Sequence, residues 1–126
     1  MTVQHFTLAK FRPGTGPKEK EKAYRTAYLL LAAALSIPGI KGFKVGPPLH
    51  QKGTRGYEFA VTVEFQDLQS FIEYIPHAHH RLLSDFINDL ADGFVLPSPA
   101  LIHLFISVVP GTPLSYQIDT TRVCKL

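Results

Sequence analysis

The 126-residue sequence contains a single cysteine, Cys124, and no tryptophan. A lone cysteine cannot form an internal disulfide, and it has no cysteine partner for a zinc site. A chain without disulfides is typical of a reducing compartment, so we expect a cytoplasmic protein.

Long apolar runs and blocks of like charge are also missing. The first residues, MTVQHFTLAKF, alternate and do not resemble a signal peptide. The longest apolar run, residues 100–109, has about half the length of a membrane span. Basic residues at 18–22 alternate with glutamate, and no aromatic residues interleave with them as in a nucleic-acid surface. We therefore expect a soluble protein that contacts neither membrane nor nucleic acid.

The composition is that of a globular domain, because 45% of the residues are hydrophobic and only 18% are charged. The length fits one domain, which we place at residues 1–109. Residues 110–126 form a C-terminal extension. It is either an arm laid over a partner subunit or a disordered tail.

Hydrophobic periodicity predicts the first half of the fold. Alternation from Val3 to Phe11 predicts a strand that carries His5 on one face together with Ala9. A helix begins at Pro17, which suits the first helical position, and ends before Pro38. Residues 42–46 and 56–65 then predict two strands.

The second half begins with a helix that Asp67 caps and Pro76 breaks. A longer helical piece follows through residues 82–90, and Gly93 can close it. Residues 100–109 predict a last strand. The order β-α-β-β-α-β is that of a ferredoxin-like α+β fold with a four-stranded antiparallel sheet. Nothing in this chain covers the second sheet face, so we expect a homodimeric α/β barrel.

Four segments resemble, in order and spacing, the stress-responsive A/B barrel (Dabb) family. They are VQHFTLAKF, IPGIKGFKVGPPLH, RGYEFAVTVEF and DLQSFIEYIPHAHHR, and they cover about the first two-thirds of the chain. The resemblance implies a homodimeric barrel that requires no cofactor. The family includes plant cyclases that form olivetolic acid from a linear tetraketide thioester by aldol condensation.

In those cyclases a histidine at the end of the second-helix motif is the base, and a tyrosine six residues earlier assists it. The resemblance therefore implies that His80 is the catalytic base and Tyr74 its assistant. The strand-one histidine of the family matches His5. We predict that eight residues line the substrate pocket: His5, Thr7, Ala9, Leu30, Leu31, Phe43, Phe59 and Val61.

The sequence departs from the family pattern at two places. The family motif is close to HPAH, whereas this chain reads His77-Ala78-His79-His80. The plant cyclases carry a histidine in strand three where this chain has Phe59. The pocket is therefore more apolar, and we do not expect the same substrate.

An aldol cyclisation needs a base for an acidic C–H group and a donor for the oxygen that becomes negative. Histidine suits the first role because it titrates near neutrality, and a tyrosine hydroxyl can fill the second. The predicted function is thus a cofactor-independent cyclase or lyase. Its ligand is a small apolar or phenolic, polyketide-like or polycarbonyl molecule.

Plainer interpretations stay open for each residue. His80 can cap or hydrogen-bond the start of the second long helix, His5 can be a half-buried strand histidine, and Tyr74 can be a core aromatic. Metal capture by His77, His79 and His80 is disfavoured, because that spacing does not share a helical face; we predict no metal. Two alternative functions are a non-catalytic stress-response dimer that binds small apolar molecules, and a cofactor-free oxygenase or isomerase of a related dimeric barrel group.

Overall fold

The structure, a computed structural model, describes residues 2–50, 52, 54 and 56–91, together with the backbone of residues 101–105. The elements, in chain order, are β1 (Val3–Ala9), α1 (Pro17–Ala34), β2 (Ile40–Gly46), β3 (Phe59–Phe65), α2 (Leu68–Tyr74), α3 (Ala78–Leu90) and β4 (Leu101–Phe105). Gly93, residues 106–109 and the extension at 110–126 lie outside the described residues.

The predicted ferredoxin-like α+β fold is confirmed. The strands pair antiparallel in the order β2-β3-β1-β4. At the centre of the sheet His5 lies opposite Val63, and Ala9 lies opposite Phe59. Residues opposite each other in an antiparallel pair share one face of the sheet, so these four side chains point to the same side.

The core lies between this face of the sheet and the helices. Along β3 every second side chain is at most 2% exposed, from Phe59 to Phe65. The buried residues of α1 recur at helical spacing, and those of α3 are Leu83 and Ile87. The helices therefore cover one face of the sheet, and the candidate site residues lie among their contacts.

The opposite face of the sheet differs from the expectation that the chain leaves it bare. Leu8 is 4% exposed, Ala60 1% and Thr62 8%. The ammonium group of Lys10 lies 4.9 Å from the centre of the Tyr57 ring, which brings the end of the β2–β3 loop to this side. The expectation is wrong for these three residues.

Helix α1 is fastened to the start of β3 by two polar contacts at Glu58. The hydroxyl of Tyr24 donates to the Glu58 carbonyl at 2.6 Å, and Lys20 Nζ lies 3.0 Å from the carboxylate. Burial, followed by the charge of Glu58, raises the pKa of the Tyr24 hydroxyl, which keeps it protonated and able to donate. The Tyr24 ring also stacks on Phe59 at 5.6 Å.

Gly39 forms the tight connection between α1 and β2. Its φ is +91°, and a Cβ atom placed there would clash with Ser70 Oγ in the first turn of α2. The Gly39 carbonyl also accepts a hydrogen bond from the backbone of Gln66 at 2.8 Å. Only glycine satisfies both the backbone angle and the close approach of the two helix ends.

We expect Gly39→Ala to destabilise the protein by more than Gly14→Ala. Gly14 has a similar φ of +87° but open space around its Cα, so its substitution costs only the conformational strain, about 1 to 2 kcal/mol. Urea unfolding of both variants measures the difference. Equal losses would show that the contact with Ser70 relaxes without cost.

Candidate active site

The candidate site lies where α2 ends, α3 begins and both meet α1. Pro76 separates the two helices because it lacks a backbone donor and cannot continue α2. Tyr74 is the last residue of α2, His77 is the cap of α3, and His79 and His80 follow in its first turn. The break brings one tyrosine and three histidines together within a few residues.

Tyr74 is the buried centre of this group, with 2% of its surface exposed. Its ring packs against Phe65 at 5.4 Å between centroids. Its hydroxyl lies 2.9 Å from His79 Nδ1. Burial raises the pKa of the Tyr74 hydroxyl to about 12, so at neutral pH it is a protonated donor.

His79 uses both ring nitrogens. Its Nε2 lies 2.5 Å from the carbonyl oxygen of Leu30 in α1. A carbonyl can only accept, so Nε2 carries the hydrogen, and Nδ1 of the neutral ring accepts from Tyr74. A single imidazole therefore links α2, α3 and α1, and its tautomer is set by its two partners.

His80 has a different environment from its neighbour. Its ring meets the Tyr74 ring edge to face at 5.1 Å, and its Nε2 is 3.4 Å from the hydroxyl of Ser84. Burial lowers the pKa of His80, a hydrogen bond with the Ile75 backbone opposes this, and the nearby His79 lowers it further. The net effect favours a neutral imidazole, the form that acts as a base.

The structure brings the predicted site residues Tyr74 and His80 into ring contact and places His5 farther along. His5 is buried on the helix side of β1, where its ring lies 5.3 Å from Phe71. Phe71 in turn contacts Phe65, at 5.4 Å. Aromatic side chains thus lie between His5 and the Tyr74 ring.

The other predicted pocket residues spread along the whole interior. Phe59 stacks on Tyr24, six residues along β3 from the Phe65 that contacts Tyr74. At about 3.3 Å per residue this separation is about 20 Å. Ala9 pairs with Phe59 at that far end, whereas Thr7 and Val61 form the pair midway.

The predicted pocket residues of α1 and β2 pack in or against the core. Leu31 is 1% exposed, and Phe43 meets the Tyr28 ring at 5.3 Å. Leu30 is partly buried and packs against the core, and its main-chain carbonyl is the acceptor for His79. In the described structure these side chains are packed as core.

His79 is the site residue that the sequence interpretation missed. Counting six residues from Tyr74 selected His80, but Tyr74 belongs to a separate helix, so the count does not fix which ring it meets. The signal was present in α3, because His79, Leu83 and Ile87 recur every four residues, and the last two are buried. That phase turns His79 toward α1 and the core.

A surface cleft opens beside Tyr74, between the end of α1 and α2. Its volume is about 400 Å³, and it is lined by Ser36, Ile37, Pro38, Ser70, Glu73, Tyr74 and His77. Of the tyrosine and three histidines of the candidate site, Tyr74 and His77 line this cleft.

In the described part of the chain, no three histidine, cysteine, aspartate or glutamate side chains are grouped so as to hold a metal ion. The helices found in that part are all too short or too polar to cross a membrane.

The element order, the antiparallel sheet and its single helical layer define a ferredoxin-like α+β domain. The chain belongs to the stress responsive A/B barrel domain (Dabb) family, whose model matches residues 3–96. This confirms the resemblance seen in the sequence. Comparison with curated proteins found no match.

Solved structures support the same fold at low sequence identity. A dimeric ferredoxin-like protein of unknown function from Jannaschia sp. CCS1 is similar with a TM-score of 0.69 and 14% identity, over 86% of this chain and 100% of that one. Another dimeric ferredoxin-like protein of unknown function, from Thermobifida fusca, has a TM-score of 0.64 and 22% identity, over 86% of this chain and 92% of that one. A protein from Nitrosomonas europaea, with a proposed antibiotic biosynthesis monooxygenase activity, has a TM-score of 0.60 and 12% identity, over 88% of this chain and 93% of that one.

We expect His80 to make stability depend on pH. Because its pKa is lowered in the folded chain, the unfolded chain takes up the proton first, and stability decreases as the pH falls below the ordinary histidine value. His80→Gln should reduce this acid-side decrease in urea midpoint. His50→Gln, at an exposed loop position, is the matched control. An unchanged pH profile in His80→Gln would contradict the prediction.

The Tyr74–His79 hydrogen bond should appear as a coupling energy. In a double-mutant cycle of Tyr74→Phe and His79→Ala, we expect about 1 kcal/mol in unfolding free energy. A control cycle of Tyr24→Phe with His79→Ala should give no coupling energy, since the Tyr24 hydroxyl donates to the backbone carbonyl of Glu58. A coupling near zero for Tyr74 would mean that the bond adds no stability.

Proposed function

We propose that this protein is a cofactor-independent acid/base enzyme, a cyclase or lyase acting on a small polycarbonyl or polyketide-like molecule. His80 is the base, Tyr74 is the proton donor, and His79 positions Tyr74. The observation that carries this proposal is the edge-to-face contact, at 5.1 Å, between the His80 ring and the ring of a buried tyrosine whose hydroxyl is oriented by His79.

The chemistry requires no external reactant. His80 Nε2 accepts a proton from a carbon between two carbonyl groups, and the resulting carbanion forms a bond to a second carbonyl carbon of the same molecule. The electron pair moves to that carbonyl oxygen, which takes the Tyr74 hydroxyl proton. The proton held by His80 then restores the tyrosine. Atoms balance within one substrate, since the ring closure is an isomerisation.

His79 has a supporting part in this scheme. Its Nε2–H is committed to the Leu30 carbonyl, so its Nδ1 is the acceptor that holds the Tyr74 hydroxyl in place in the free protein. When substrate binds, the single hydroxyl hydrogen turns from His79 Nδ1 to the substrate oxygen. An oriented donor lowers the reorganisation needed when negative charge develops on the substrate oxygen. The cleft beside Tyr74 is the proposed route of entry.

We also propose a homodimer. The similar structures from Jannaschia and Thermobifida fusca are described as dimeric. On the sheet face opposite the helices Phe6 remains partly exposed in the single chain. A second copy packed against this face would remove that apolar surface from water.

A non-catalytic dimer is the second candidate, and the close packing of the interior favours it. Ala9 and Phe59 are 0% exposed and Val61 is 2% exposed, so a ligand in this part of the barrel must displace core side chains. The cofactor-free oxygenase or isomerase is third. Its support is the likeness to the Nitrosomonas europaea protein.

Thermal shift against a panel of phenolic and polyketide-like molecules is the test of binding. A ligand at about one hundred times its Kd stabilises a protein by about 2.7 kcal/mol, a visible rise in Tm. We expect a selective rise that weakens in Tyr74→Phe and His80→Ala. It should persist in Tyr24→Phe, which removes a buried hydroxyl at the other end of the core.

Turnover of a panel ligand separates the enzyme from the binding protein. His80→Ala should abolish product formation while the circular dichroism spectrum stays that of the folded protein. Normal turnover in this variant would overturn the assignment of the base. Binding without turnover in the wild type would favour the non-catalytic dimer.

A further inference from the structure

The helix that carries both site histidines begins with an unusual cap. His77 is the N-cap of α3, and its Nδ1 accepts a hydrogen bond from the backbone N–H of His79 at 2.9 Å. The first N–H groups of a helix have no partner within it, and serine, threonine, aspartate or asparagine usually supplies one. Here an imidazole nitrogen fills that role.

An imidazole differs from those caps because a proton removes its function. The neutral ring offers one acceptor nitrogen, whereas the protonated ring has two N–H donors and no acceptor. The cation would also stand at the positive end of the helix dipole, which repels it. Protonation of His77 therefore both breaks the cap and places an unfavourable charge at the start of α3.

The preceding helix shows the ordinary solution in the same chain. Asp67 caps α2 by accepting from the Ser70 N–H at 2.8 Å. That backbone hydrogen bond is the main reason why the pKa of Asp67 lies below its usual value. The Asp67 cap thus persists under mildly acidic conditions in which histidines become protonated.

The groups around His77 come from both helices. Tyr74 stacks on its ring at 6.3 Å, and Glu73 of α2 lines the same cleft. From α3 the neighbours are His79, His80 and Arg81, whose N–H bonds to the His77 carbonyl at 3.2 Å. His77 itself is exposed, so protons reach it directly.

We propose that His77 is a pH-sensitive positioning residue, whose neutral ring holds the first turn of α3 and with it His79 and His80. Acidification releases this turn before the rest of the fold. The capping role is independent of the proposed enzyme activity. Only its consequence for catalysis, the loss of an ordered base at low pH, rests on the proposed function.

Amide hydrogen exchange at His79, followed by NMR, tests the cap directly. In the wild type, after correction for intrinsic exchange rates, we expect protection of this amide to decrease by about fivefold between about pH 8 and about pH 5. His77→Asn supplies an acceptor that does not titrate and keeps His79 and His80, so the decrease should be smaller. His77→Ala should have low protection throughout this range.

The Ser70 amide, bonded to Asp67, is the internal control and should stay protected over the same range. The proposal fails if His77→Asn loses protection with pH as the wild type does, or if His77→Ala is as protected as the wild type at about pH 8. Because exchange needs no substrate, such a failure says nothing against His80 as a base. Conversely, if the protein shows the expected exchange pattern but no turnover, the capping role of His77 is supported and only the proposed function is contradicted.

Discussion

The arrangement of the site depends on one imidazole that holds three helices. Pro76 ends the continuous hydrogen bonding between α2 and α3, so the helix backbone alone does not fix the angle between them. The chain of contacts from Tyr74 through His79 to the Leu30 carbonyl supplies that constraint. Because consecutive helical residues are rotated by about 100°, directing His79 toward α1 also determines the direction of His80.

This geometry places the two adjacent histidines, His79 and His80, in different environments. His79 has both ring nitrogens hydrogen-bonded, to the Tyr74 hydroxyl and the Leu30 carbonyl, and these two partners determine which nitrogen carries the hydrogen. The other has a weakly held Nε2 and a pKa that burial lowers. In the proposed mechanism Tyr74 is the oriented donor and His80 is the neutral base. The third histidine, His77, caps the helix that carries His79 and His80.

Much of the fold follows from local patterns in the sequence. The alternation in β3 identifies the side chains that enter the core. Pro17 is the first residue of α1, and α1 and α2 end four and two residues before Pro38 and Pro76. These features are local, since a strand's period and a proline's missing donor act within a few residues.

Local sequence patterns predicted less of the candidate site than of the fold. Tyr74 and His80 were found through the family motif, but the choice between two neighbouring histidines depends on the rotation of α3 about its axis. The buried positions Leu83 and Ile87 indicate that rotation, but the acceptor that His79 reaches, the Leu30 carbonyl, lies 49 residues away, and no local pattern identifies it. The predicted pocket likewise combined residues of one sheet face, such as His5 and Phe59, without the distance between them along the strands.

The position of β1 within the sheet has a consequence for how the chain folds. The first strand lies between β3 and β4, so Ala9 must find Phe59 on one side and Leu101 on the other. Both pairings close long loops, and contacts so remote in sequence form slowly compared with those of helices. On a ribosome β1 would have to wait for most of the chain to be made. Its apolar side chains would meanwhile be open to non-native contacts and to chaperones.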